Sequence, residues 1–552
     1  MAVVSMVVGA TTPTTARVVA KVDGAIATLL VSDIEALAGA AEFGPVDTDA
    51  QGVAHLQATG LDPDTRYWYA VADEEVADFE QPGTFRTHPP VGEPADFTFW
   101  FASCAGASPD APGVGDVLAA NRLSNHPVFD TLRQRALDEG WLFGVHAGDL
   151  HYYDIGSGSH GITNPDLDTY RRAYDDVLAQ PNQAGLYRSL PHVYLWDDHD
   201  YGPDNSDRTH TLREEAGQAY RERWPHYPLP APAGPIFQAF QVGRVLFIGS
   251  DVRYDRDPNG DPQDGDKTML GTAQREWLES LLGSSQAEFL VWLQPDQWTR
   301  PSGADNWSNY EHERDQLVQL LGDTGWLDRM LMLQGDRHQV NMDSGANNPW
   351  GGFPVYELAP LDSSTSNGAN DTTWDIGRHA DAVDGGNQRG QYGVIRIRDL
   401  GHTIEVTSRS HVGAQPVLFH QFTVPVGDEP PPPTPGDALP VGTVSPTVAW
   451  QGYDLVTGRL IADLPDVTGT ISRILGEYTS ASLSMPIPLS GPGALGDLAF
   501  QATTPGRTMI VAVVNGQPAW GGRVLRQRGG TGATMQVPCA TLEAYLRRRR
   551  VQ

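Results

Sequence analysis

The sequence predicts an α/β protein with a small all-β module at its amino end and a mainly β region at its carboxyl end. Three observations predict this. Short apolar runs alternate with longer polar stretches between about residues 95 and 425, the pattern of strands and helices sharing one core. Both ends of the chain instead show period-two alternation broken by Gly, Asp and Thr, the mark of half-buried strands. A Pro-rich segment, GDEPPPPTPGDALP at 427–440, separates the last part from the rest and reads as an extended, semi-rigid spacer. The expected domains are therefore 1–92, 93–426 and 441–552, joined by that linker, which fits ~100–200 residues per domain.

In the first domain the stretches ARVVAKV, ATLLVSD and VAHLQAT read as strands. GLDPDTRYWYAV at 60–71 resembles the corner of an immunoglobulin-like or fibronectin-like β-sandwich, with Leu61, Tyr67, Tyr69 and Val71 alternating across the faces. Structural support is the expected role of this module.

In the middle, FTFWFA, WLFGVHA, HVYLW, VLFIGS, EFLVW and MLMLQ are each too short for a helix and read as buried strands. Polar motifs begin where these runs end: FASC at 101–104, AGDLHYYD at 147–154, YLWDDHDYGPDN at 194–205, SDVRYDR at 250–256 and LQGDRHQ at 333–339. The carboxyl ends of strands are where an α/β sheet gathers its chemistry. Together the motifs offer thiolate, carboxylate, phenolate and imidazole, the ligand types that hard and intermediate cations take. A two-metal hydrolase follows from that set. Paired cations about 3.5–4 Å apart lower the pKa of a shared water and clamp the oxygens of an in-line displacement, which suits phosphoryl transfer.

The succession SC, GDxxY, WDDH[DE], DxR, a helix bearing Leu270, Gly271, Gln274, Trp277 and Leu278, and GDxH resembles the PhoD-type alkaline phosphatases and phosphodiesterases of the calcineurin-like metallophosphoesterase superfamily. DNWSNYEHERDQLVQLL at 305–321 is similar to the same family. The resemblance implies a β-sandwich core flanked by helices, a phosphomonoester or phosphodiester substrate, and a ferric ion with calcium as cofactors, other divalent metals being allowed. It implies Cys104 as a thiolate ligand of iron in place of an Asp-x-His, Asp149 as the bridge between metals, and Tyr152 as a phenolate ligand. It further implies Asp197, Asp198, Asp336 and His338 as ligands, with Asp198 where many relatives carry Asn and Asp336 where the wider superfamily carries His. His199 becomes the proton donor or charge stabiliser beside the phosphoryl oxygen. Arg253 becomes a catalytic phosphate fork, with Asp251 beside it at the substrate.

Plainer readings stand next to these. A lone buried cysteine is ordinarily a small hydrophobe, and Asp149 and Asp198 suit helix caps. His146 and His151 read as local polar contacts. Arg253 has the alternative of pairing with Asp251 or Asp255. LQPDQW at 293–298 lacks the ligand His of other superfamily members, so Gln294 and Gln297 leave the second metal's shell open.

Net charge is −31, and it is unevenly spread: residues 441–552 hold ten Arg against six acidic residues, leaving −35 on the first 440. So acidic a surface excludes nucleic acid as the general partner. Arg547 to Arg550 read as a solvated tail or an inter-subunit contact. Cys104 and Cys539 fall in different predicted domains, so no disulfide framework is expected. MAVVSMVVGATTPTT lacks the n-region and apolar core of a signal peptide, and no run of ~18 apolar residues predicts a membrane span.

The last domain reads as antiparallel β structure with turns at Thr457-Gly458, Asn515-Gly516 and Gly521-Gly522. YDLVTGR, SRILGEYTSASLSMPIP, PGRTMIVAVVNGQPAWGGRV and LEAYLRRR are similar to the amino-terminal part of minor tail proteins of long-tailed phages that infect actinobacteria. That resemblance implies other tail proteins as partners, location in the virion at the tail tip, and three-fold symmetry as one allowed assembly. The combined expectation is a tail-associated metallophosphoesterase acting on phosphoesters of a host-envelope polymer. The alternatives are a structural or receptor-binding tail protein with a vestigial site, and an extracellular phosphatase for phosphate scavenging.

Overall fold

The computed structural model describes residues 3–427 apart from 74–75, 78–81, 107–121, 159–161, 304, 364–373 and 379–388, and beyond 427 only the strands between 448 and 540. The chain divides into two compact units, 1–431 and 432–552.

The first unit opens with β1 (Val3–Gly9), β2 (Thr15–Val22), β3 (Ile26–Ser32), β4 (Ala41–Asp47), β5 (Val53–Thr59), β6 (Arg66–Asp73), β7 (Val76–Ala77) and β8 (Gly83–Arg86). There follow β9 (Asp96–Ala102), α1 (Pro127–Glu139), β10 (Phe143–Ala147), α2 (Leu167–Leu178), α3 (Pro181–Ser189), β11 (His192–Leu195), α4 (Asp198–Tyr201) and α5 (Arg213–Arg223). The next elements are β12 (Gln238–Val242), β13 (Val245–Gly249), α6 (Gly271–Ser284), β14 (Phe289–Gln294), α7 (Glu311–Asp323) and β15 (Met330–Gln334). The unit closes with β16 (Val340–Asp343), β17 (Val355–Leu358), β18 (Gly377–Arg378), β19 (Gln391–Asp399), β20 (Thr403–Val412) and β21 (Gln415–Pro425). The six apolar runs are β9, β10, β11, β13, β14 and β15.

Two sheets face one another. A nine-stranded sheet runs β21-β20-β19-β9-β10-β11-β1-β2-β5, and a seven-stranded sheet runs β12-β13-β14-β15-β17-β16-β18. Within them β9, β10 and β11 are mutually parallel, as are β13, β14, β15 and β17. Period-two alternation makes the sandwich. Phe97, Phe99 and Phe101 of β9, Phe247 of β13, Val291 and Leu293 of β14, and Leu331 and Leu333 of β15 share the core between the sheets. Trp100 and Ala102 instead pack with the helices α1, α2, α3 and α5, while Ile248, Trp292 and Met332 pack with α6 and α7. Strands buried on both faces explain why these runs are continuously apolar. Phe99 stacks on Phe143 at 5.0 Å and meets Phe247 edge-on at 5.3 Å, each buried ring contributing roughly 1.5–3 kcal/mol.

The amino-terminal strands share this architecture. Gly9 of β1 lies opposite His192 of β11 in parallel register, so β1, β2 and β5 extend the nine-stranded sheet. β3, β4, β6, β7 and β8 form a separate five-stranded sheet. Leu61, Tyr67, Tyr69 and Val71 are buried together, and the Tyr67 hydroxyl accepts a bond from Asp62 N at 2.9 Å.

The second unit holds β22 (Val448–Asp454), β23 (Leu460–Leu464), β24 (Thr468–Ser472), β25 (Ser480–Pro486), β26 (Thr508–Val514), β27 (Gln517–Val524), β28 (Arg528–Gly529) and β29 (Thr534–Ala540). They form one antiparallel sheet in the order β23-β22-β26-β27-β29-β25-β24, with β28 on β29. Gly521 and Gly522 do not make a turn. They lie inside β27 opposite Val511 and Ile510, since glycine is tolerated within a strand as well as at its end. Thr457-Gly458, Asn515-Gly516, the segment 428–440 and Arg547 to Arg550 lie outside the described residues. Among the described residues no helix is long and apolar enough to cross a membrane.

Candidate metal centre

Every parallel strand from β9 to β15 is followed, two residues past its end, by an acidic residue or cysteine: Cys104, Asp149, Asp197, Asp251, Asp296 and Asp336. Three of these six leave the strand in left-handed backbone, with φ 61° at Cys104, 57° at Asp149 and 68° at Asp336, and His338 follows at 57°. Such values are uncommon away from glycine, and a cluster of them marks a site whose surroundings over-determine the backbone. The loops are tied together, Cys104 N donating to Gly148 O at 3.0 Å and Ala105 N to Asp149 O at 2.7 Å. Two glycines permit the close approach. A Cβ at Gly148 would stand 2.4 Å from Cβ of Asp197, and one at Gly106 would stand 1.9 Å from the Tyr152 ring.

These loops bring the predicted ligands together. Single donor atoms of Cys104, Asp149 and His338 lie within 4.8 Å of one another, as do those of Asp149, Asp198 and His199, and those of Asp149, Asp197, Asp198 and Asp336. Asp149 is common to all three groups. The Tyr152 hydroxyl donates to Asp149 Oδ2 at 3.0 Å and lies 3.0 Å from His338 Nε2, and Ser363 Oγ donates to it at 3.0 Å. Ser103 Oγ stands 3.1 Å from Cys104 Sγ.

Arg253 takes neither of its expected positions. It is fully buried. Its Nε donates to Asp197 Oδ1 and its Nη1 to Asp305 Oδ2 at 2.9 Å, while Nη2 stands 3.8 Å from Asp198 Oδ1. Its charge therefore neutralises the floor of the site, and it pairs with neither Asp251 nor Asp255. Asp305 passes the charge on to Arg256, which reaches Asp296 at 2.7 Å. Asp251 is likewise not at the substrate. Its carboxylate accepts the Trp196 indole N–H at 2.9 Å and the backbone amides of Ile236, Arg253 and Tyr254, while Gln274 of α6 clamps its own backbone at 2.9 and 2.7 Å. The motif residue Gln274 thus acts as a brace for a strand end.

Several functional neighbours were not picked out from the sequence. Asp200 accepts the amides of Asp149, Leu150, His151 and Asp197 at 2.6, 2.7, 3.2 and 3.1 Å, so one carboxylate sets two ligand loops. Asp154 binds His199 Nδ1, and the His199 ring lies over Tyr152 at 4.2 Å. Gln297 Nε2 donates to Asp336 Oδ2, whereas Gln294 serves Trp307 and stays out of the site. His146 and His151 make local contacts, with Tyr187 and with the Tyr153 amide. The extra acids of WDDHD and the Asp of DNWSNY were the available signals.

The electrostatics test whether cations fit. Burial above all, with the charges of Asp198 and Asp200 adding, pushes Asp149 up to about 8 despite His199. Burial also raises Asp336 well above the usual carboxylate range, as it does Asp197 even beside Arg253. Burial and the neighbouring acids raise the Cys104 thiol in the same way. Burial opposes ionisation of Asp198, but Arg253 and His199 outweigh it and hold that carboxyl low. Burial likewise disfavours the charged His199, yet Asp198, Asp149 and Asp154 hold it well above its ordinary value. Meanwhile Asp149 Oδ1, Asp197 Oδ2 and Asp198 Oδ1 are buried with no hydrogen-bond partner. Crowded acids with orphaned oxygens are costly unless positive charge joins them, and a bound cation inverts that local pKa logic. The donor set fits metal.

Sandwiched sheets whose strand ends converge on a carboxylate, thiol, phenol and imidazole cluster define a metal-centre protein of the metallophosphatase fold. The comparisons narrow that class. Residues 99–377 match the PhoD-like phosphatase family, and the chain belongs to it. It is 23% identical over 329 residues to alkaline phosphatase D of Bacillus subtilis (strain 168), a match covering 51% of this chain and 53% of that protein. The chain thus spans about half the length of that curated relative. Among solved structures, one described as the structure of PhoD superposes with a TM-score of 0.57 at 19% identity, over 77% of this chain and 90% of the other. A purple acid phosphatase from yellow lupin (Lupinus luteus) seeds superposes with 0.55 at 15%, over 76% and 74%. These likenesses show the fold.

Proposed function

We propose that this protein is a metal-dependent phosphoester hydrolase borne on a phage tail, cleaving phosphomonoesters or phosphodiesters of a host-envelope polymer. The observation that carries the hydrolase reading is the meeting of Cys104, Asp149, Tyr152 and His338 with Asp197, Asp198 and Asp336 around the one shared carboxylate of Asp149. Cys104, Asp149, Tyr152 and His338 would hold a ferric ion, and Asp149, Asp197, Asp198 and Asp336 would hold calcium. Such cations, when bound, acidify water and offset charge on the transferring phosphoryl group. The chain's own residues do the rest. Asp200 and the left-handed turns fix where the ligand atoms stand. Arg253 and His199 hold the Asp198 carboxyl low, and Arg253 opposes the upward push of burial on Asp197. Asp154 holds His199 Nδ1, which leaves Nε2 as the edge that gives a proton to the departing oxygen. In-line attack by water means inversion at phosphorus and no covalent enzyme intermediate.

Protein purified with iron and calcium should cleave a chromogenic phosphodiester, and Asp149→Asn should abolish the reaction. Absence of turnover with any metal would sink the catalytic reading. The tail assignment rests on the motifs of residues 441–552. It predicts the protein in purified virions, and a protein found only in the culture medium of a bacterium would favour the scavenging alternative.

A further inference from the structure

We propose that Arg300 and Arg337 supply the guanidinium contacts to the phosphate group of the substrate, the role expected of Arg253. This rests on the phosphoesterase reading above. A phosphate ester entering a site floored by Asp149, Asp197, Asp198 and Asp336 meets repulsion from every carboxylate that is not neutralised, so cationic side chains near the entrance matter. Arg253 and Arg256 are fully buried and committed to Asp197, Asp305 and Asp296. The one unpartnered nitrogen of the pair, Arg253 Nη2, is buried 3.8 Å from Asp198 Oδ1.

Arg300 and Arg337 differ from them in exposure and in pairing. Both are half-buried, neither pairs with a carboxylate among the described residues, and each keeps a buried Nε with no hydrogen-bond partner. Arg337 stands between the ligand candidates Asp336 and His338, and its backbone is turned by the left-handed residues on both sides. Arg300 is linked to the same carboxylate from another loop: its Nη1 donates to Gln297 Oε1 at 3.0 Å, and Gln297 Nε2 donates to Asp336 Oδ2. Arg300 is thus tied to Asp336 through Gln297, Arg337 adjoins Asp336 in the chain, and both keep donor capacity in hand. Guanidinium matches phosphate because it presents paired N–H groups to two oxygens at once.

The test is titration calorimetry of the metal-loaded protein with inorganic phosphate, alongside KM and kcat for a chromogenic phosphoester and the metal content of each variant. Arg337→Gln and Arg300→Gln should each weaken phosphate binding about tenfold or more. KM should rise more than kcat falls, metal content should hold, and Arg337→Lys should recover part of the loss. Arg409→Gln, on the distant exposed face of β20, should leave phosphate binding unchanged. Phosphate affinity within twofold of wild type in both Gln variants would overturn the assignment, as would loss of metal, because the arginines would then act on Asp336 alone. Wild-type protein that carries metal and binds phosphate while both variants bind equally removes only this inference. Wild-type protein that binds no phosphate in any metal form removes the phosphoesterase reading with it.

Discussion

The two facing sheets present the same residue types at the same position past their parallel strands and use them differently. In the nine-stranded sheet Cys104, Asp149 and Asp197 all enter the metal cluster. In the seven-stranded sheet only Asp336 does; Asp251 is consumed by Trp196 and three backbone amides, and Asp296 by Arg256. Backbone conformation separates three of the four cluster members from the rest. Cys104, Asp149 and Asp336 carry positive φ, Asp197 caps the short helix α4 with φ −127°, and neither Asp251 nor Asp296 is left-handed. A strand-end acid thus becomes a ligand only when its loop turns it towards its neighbours, and otherwise it braces the loop.

That contrast can be broken by substitution. The largest effect belongs to Asp149→Asn, which touches every ligand group: kcat/KM should fall by well over the roughly 10–100-fold typical of groups that only orient a ligand, and metal content should fall with it. Arg253→Met comes next, leaving Asp197 buried without its cation and Asp305 with Arg256 alone. Chemical denaturation should report a loss of about 3–5 kcal/mol. Asp251→Asn, on the bracing side, should cost about 1–3 kcal/mol through its weakened bonds while keeping the full metal complement; loss of metal there would erase the distinction between the sheets. Smallest is Ser363→Ala. It removes the hydroxyl shared between the Tyr152 hydroxyl and the Gly106 carbonyl, worth about 1 kcal/mol, and should lower kcat/KM by tenfold at most in steady-state assays.

Much of this arrangement was legible in the chain. Six apolar runs announced the strands because both faces are buried, and the ligand types announced the metal because few other uses collect Cys, Tyr, His and Asp at strand ends. What escaped was set by contacts between distant residues. Arg253 was read from its own motif, where Asp251 and Asp255 are neighbours, yet its partners Asp197 and Asp305 lie 56 and 52 residues away. Asp200 looked like one more acid in WDDHD, and only the fold reveals that it gathers amides from the loop after β10. Positive φ at Cys104 and at Asp149 has no local signature, since neither residue type demands it.

The most direct test of the account is elemental analysis of the purified protein beside its Cys104→Ala, Asp149→Asn and Asp251→Asn variants. The account predicts stoichiometric metal in the wild type and in Asp251→Asn, loss of iron in Cys104→Ala, and loss of both metals in Asp149→Asn. Metal-free wild type, or an Asp251→Asn variant as depleted as Asp149→Asn, would contradict it.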